Sequence, residues 1–131
     1  MMLLSCFLVT KLTNPEPMKL PEIKGAANIV AFAFSVAAFA FFEELLYRLF
    51  IFEGGFFLLG ERGRGKKIGC FFFALALFAA AHRYMGLGAV VNALVSGALL
   101  QMLYLKTGRI EMPCVIHCAY NFILFLVQSS I

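Results

Sequence analysis

The chain has 131 residues, of which 63% are hydrophobic and 14% charged, with a formal net charge of +4. Soluble domains are ~45–50% apolar and ~25% charged, so lipid must solvate much of this surface; a disordered chain is excluded and a secreted disulfide scaffold disfavoured. The basic residues sit in short stretches between apolar segments, which is no nucleic-acid footprint, and all seven acids are Glu, which excludes chemistry built on an Asp pair.

Met1 to Val9 is apolar, with no basic residue before it and no small-residue cleavage site. It reads as the stub of a preceding membrane helix rather than as a signal peptide. Residues 11–24, with three of the four prolines, read as an interfacial linker, so residues 1–25 form one unit and 26–131 a membrane-embedded domain. Ala26 to Phe52 is apolar except for Glu43, Glu44 and Arg48, and some 20 such residues suffice for a transmembrane helix. Gly54-Gly55 either breaks this span or lets it continue as a tilted piece to Gly60.

The charged stretch 61–67 is expected to form a turn, and Ile68 to Ala81 a second span ending at His82 and Arg83. Gly86 and Gly88 mark a short turn, Ala89 to Leu105 a third span, Lys106 to Arg109 another turn and Ile110 to Ile131 a fourth span. These runs are too long and too uniformly apolar for barrel strands, which leaves helices. The expected fold is therefore all-α, a polytopic bundle of about four transmembrane helices around a buried polar site. By alternation, the side carrying 61–67 and 106–109 holds Arg62, Arg64, Lys66, Lys67, Lys106 and Arg109, against Lys11, Lys19, Lys24 and Arg83 on the other. The positive-inside rule assigns the first side to the cytoplasm.

Ionisable groups inside a span are functional candidates by default. Glu44 and Arg48 are four apart and share a helical face, so they can pair, whereas Glu43 is turned by about 100° and is left for other work. His117 and Asn121, also four apart, can point at one volume. Counted from the basic side at ~1.5 Å per residue, Glu43 lies about 25 Å deep, His82 about 22 Å, and His117 and Asn121 about 12 and 18 Å. Overlapping depths on three helices point to one pocket. Asn92, Ser96 and Gln101 read as ties between helices, Cys6, Cys70, Cys114 and Cys118 as small hydrophobes, and the phenylalanines at 71–73 and 78 as lipid-facing or core.

No HExxH motif precedes either Glu, and Ser96-Gly97 lacks the first glycine of a GxSG serine site. What remains suits hydrolysis. Glu43, removed from bulk water, is a usable general base, and His82 can share the activation of a water with it. His117 and Asn121 can supply donors to the oxyanion of a tetrahedral intermediate. Alternatively, Glu43, His82 and His117 can hold a Zn2+ that activates the water.

The segments EELLYR (Glu43 to Arg48), FAAAH (Phe78 to His82) and HCAYN (His117 to Asn121) resemble, in order and spacing, the EExxxR, FxxxH and HxxxN motifs of the CAAX-protease and bacteriocin-processing family. That family comprises intramembrane proteases related to type II CAAX prenyl endopeptidases, and the resemblance runs from about Phe39 to Phe125. It implies that Glu43 and His82 activate water, that His117 and Asn121 stabilise the oxyanion, and that Glu44 and Arg48 support them. It also implies a peptide or protein substrate at the lipid bilayer, such as a prenylated CAAX protein, and the family's metalloprotease label implies Zn2+. The rival expectation is a non-enzymatic member, a bacteriocin-immunity or membrane scaffold protein whose motifs only hold helices together.

Overall fold

The computed structural model describes residues 25–60 and 63–129, and all of their regular structure is helical. The apolar stub, the proline-rich linker up to Lys24 and Cys6 lie outside the described residues. The first helix, α1 (Ala26–Glu44), passes without interruption into a π-helical segment (Leu45–Glu53) and a last short helix, α2 (Gly54–Leu58). The glycine pair at 54–55 therefore continues the rod instead of breaking it. In lipid no water competes for backbone groups, so the chain keeps its internal ladder through glycines that would open a helix in water.

Helix α3 (Arg64–Ala81) begins four residues before the expected span. Arg64, Lys66 and Lys67 occupy its first turn rather than a loop, although cations there oppose the helix dipole. Two of them have local work: the Lys66 ammonium donates to the Leu59 carbonyl at the end of the rod, and Lys67 lies 5.8 Å from the centre of the Phe56 ring. A 3-10 turn (Arg83–Met85) leads to Gly86, whose φ of 95° turns the chain into α4 (Leu87–Thr107). Gly88 is thus inside a helix and not in the turn, and so are Lys106 and Thr107. The stop comes at Gly108, left-handed at φ 65°, whose N–H donates to the Tyr104 carbonyl at 2.8 Å. Helix α5 (Glu111–Ser129) completes the bundle.

The rod touches α5 along α1 and α3 along the π segment, and α4 fills the space between α3 and α5. Phe32 on α1 stacks 4.1 Å from Phe125 on α5. Between the π segment, α3 and α4 lie two adjoining cores, one of Tyr47, Phe78, Ala79 and Ala93, the other of Phe52, Cys70 and Ala74. Helices α3 and α4 meet closely because Gly97 has no side chain: a Cβ there would stand 2.7 Å from the Phe78 ring and 3.0 Å from Leu75. Small residues perform this service wherever membrane helices must approach.

Two helical stretches, Ala27–Leu58 and Leu87–Thr107, are long and apolar enough to cross a membrane. The outward faces are apolar too: Phe34, Phe50 and Leu58 are 75, 75 and 84% exposed, and Phe72 and Phe73 point outward while Phe78 is core. Such a surface is expected where hydrocarbon is the solvent. Cys70 and Cys114 are buried, Cys118 is half-buried, and all three are free thiols, in line with the apolar role expected of them.

Candidate functional site

Glu44 is the last α-helical residue before the π segment, and it is fully buried. Its Oε2 lies 3.1 Å from Arg48 Nε, the i,i+4 pair that the spacing called for. Arg48 is 2% exposed. Its guanidinium also reaches the Gly97 carbonyl at 3.5 Å on α4 and sits 5.3 Å from the centre of the Phe78 ring on α3. In a π-helix the backbone bonds run i→i−5, which lines up residues four and five apart. Glu44, Arg48 and Phe52 accordingly bury along one side, with Tyr47 beside them.

The other oxygen of Glu44, Oε1, lies 2.8 Å from Nδ1 of His117 on α5. The second ring nitrogen of His117, Nε2, is 3.5 Å from Oε2 of Glu43. Two adjacent carboxylates, turned apart by the helix, therefore hold the two nitrogens of one imidazole. They are not equivalent, for the Glu43 side chain is 29% exposed and that of Glu44 is 0%. One carboxylate is buried in an ion pair; the other is partly exposed.

His82 enters from the end of α3. Its Nδ1 lies 2.8 Å from the Phe78 carbonyl of its own helix, and its ring stands 4.7 Å from that of Phe78. The other flank of Phe78 faces His117 at 6.0 Å, nearly perpendicular. The FxxxH motif and the final helix thus meet on one buried aromatic ring. Asn121 is half-buried one turn beyond His117 on α5, and it makes no hydrogen bond to the other candidate residues. Among the described residues no three His, Cys, Asp or Glu side chains are gathered closely enough to hold a metal. One nitrogen of His117 is hydrogen-bonded to Glu44 and one nitrogen of His82 to a backbone carbonyl. Glu43, His82 and His117 are not gathered into such a group among the described residues.

The ties expected of Asn92, Ser96 and Gln101 differ in kind. Asn92 does join two helices, accepting a 2.8 Å hydrogen bond from the Tyr120 hydroxyl. Ser96 turns back to the Ala93 carbonyl of its own helix. Gln101 is buried with its Nε2 unpaired among the described residues. Sequence reasoning missed three participants: Phe78 as the shared ring, Gly97 as acceptor and close-packing point, and the bond from His117 to Glu44. A glycine followed by a small-residue face on an apolar helix was the available signal for the second. The counted depths also mislead, since they set Glu43 about 13 Å deeper than His117 at ~1.5 Å per residue. Contact between the two means that the far end of the rod runs past the start of α5.

Residues 25–123 match the family model described as type II CAAX prenyl endopeptidase Rce1-like. No curated protein and no solved structure matches the chain.

Proposed function

The chain belongs to the type II CAAX prenyl endopeptidase Rce1-like family, and from that premise we propose a multi-pass intramembrane endopeptidase that hydrolyses a peptide bond in a prenylated CAAX protein or a similar membrane-associated peptide. The observation that carries this reading is the accessible Glu43 carboxylate, 3.5 Å from an imidazole that a buried carboxylate holds from behind. A partly exposed base, beside a group whose orientation is fixed, suits water activation.

In the proposed reaction Glu43 takes a proton from a water as its oxygen attacks the scissile carbonyl carbon. His82 orients that water, and His117 and Asn121 face the oxygen that becomes negative. Collapse of the intermediate breaks the C–N bond, and the proton held by Glu43 passes to the departing amine. The products are a carboxylic acid, whose remaining proton passes to the amine or to water, and a free amine, and no step is routed through a metal. Four spans fit this reading: the rod, α3, α4 and α5, with the start of α3 and the turn at 108–110 on one side of the bilayer.

The test is cleavage of a prenylated CAAX peptide by purified protein in lipid vesicles. Glu43→Gln and His117→Ala are each expected to lower turnover by about 10²- to 10⁴-fold, the usual worth of a positioned acid or base, with unchanged elution on size exclusion. Repeating the assay after chelation, and again with Zn2+ restored, reads out metal dependence. The scaffold reading draws on the same contacts, because Glu44, Arg48 and His117 tie the rod to α4 and α5. It predicts that Glu43→Gln changes nothing measurable in the assay and that the wild-type protein cleaves no such peptide.

A further inference from the structure

We propose that Glu44 is a positioning residue that fixes the tautomer of His117, with the ring hydrogen on Nδ1 and with Nε2 turned to the reaction space. The inference rests on the protease reading only for what Nε2 then does; the hydrogen on Nδ1 follows from the contact with Glu44. Arg48 Nε stands 3.1 Å from Oε2 of Glu44, a cation beside the carboxylate. A carboxylate anion has only acceptor sites, so the 2.8 Å contact between Oε1 and Nδ1 requires the ring to be the donor. The choice of nitrogen in a histidine is commonly set this way, by the partner of the other nitrogen. The plane of the ring is set as well, because His117 meets Phe78 at an interplanar angle of 76°. With 0% exposure on the Glu44 side chain and 5% on that of His117, water does not compete for this bond.

The consequence concerns the oxyanion. With its hydrogen on Nδ1, neutral His117 offers a lone pair at Nε2, and it can donate there only after receiving a proton. Glu43, at 3.5 Å, is placed to hand one over. As the water O–H breaks and the O–C bond forms, the proton goes to Glu43 and is shared onward with Nε2. The donor then arises in the step that creates the negative oxygen, and it returns the proton when the amine leaves.

The chain has only two histidines, so ¹⁵N-histidine labelling gives four ring signals, and His82→Ala leaves those of His117 alone. In the full-length protein in nanodiscs, the expected result is a one-bond N–H correlation at Nδ1 of His117. Glu44→Leu with Arg48→Met, which removes both charges together, is expected to move that hydrogen to Nε2. A bare Nδ1 in the wild-type spectrum overturns the proposal, and so does an Nδ1–H that persists in the double variant. The wild-type spectrum suffices where the double variant does not fold. An Nδ1–H in a protein that cleaves no peptide leaves the positioning intact and removes the protease reading; a bare Nδ1 in an active protein does the reverse.

Discussion

Arg48 is the residue on which the buried charges depend. Its planar head joins Glu44, the Gly97 carbonyl and the face of Phe78 at once, a geometry that an ammonium does not reproduce. Arg48→Ala leaves Glu44 buried without a counter-charge, and it is expected to cost about 3–5 kcal/mol, read as a lower melting temperature in detergent. Arg48→Lys is expected to recover only part of this. The pairing of Glu44 with Arg48 was legible from spacing alone, because four residues on a helix settle which side chains meet. The bond between Glu44 and His117 was not legible. The two residues are 73 positions apart, and nothing local tells a distant ring which of two neighbouring carboxylates it will reach. That Glu44 rather than Glu43 would pair with Arg48 did follow, from the rotation of Glu43 away from Glu44.

Among the elements, the contact between α3 and α4 has the narrowest tolerance. Gly97→Ala places a methyl 2.7 Å from Phe78, and the expected cost of such overpacking is about 1–3 kcal/mol. The same variant should reduce cleavage more than its stability loss explains, because the displaced ring also carries His82. Activity measured well below the melting temperature checks this. Tyr120→Phe removes the bond to Asn92 across α4 and α5, and about 0.6 kcal/mol is expected, typical of hydrogen bonds between membrane helices. Helix existence was readable from apolar run length, but helix ends were not. Gly88 and the cations at 64, 66 and 67 suggested turns and Gly54-Gly55 allowed a break, yet a backbone with no water to bond stays helical through them, and α4 stops only at the left-handed Gly108.

For the whole molecule, the topology can be read without any activity. With the native cysteines replaced, single cysteines at Lys66 and Arg109 are expected to react with an impermeant maleimide from the same face of the vesicle, and one at Tyr84 from the opposite face. The positive-inside rule makes the cytoplasmic face the expected side for the first two. Labelling of all three from one side would dismiss the four-span reading. The family and the all-helical architecture were both visible in the sequence. The long π segment was not, since its residues are as apolar and as helix-compatible as those of the α-helix before it.

Phe78 has a 1% exposed ring that touches Tyr47, Arg48, His82 and His117, contributed by three different elements. Residues that share a partner rarely respond independently to mutation. Paired substitutions at His82 and His117 should therefore be non-additive even though no bond joins the two histidines, and replacing Phe78 with Leu should bring the pair closer to additivity. A single hydrocarbon ring then serves as the thermodynamic link among three motifs, and exchanging any one motif for a foreign version would require refitting the other two.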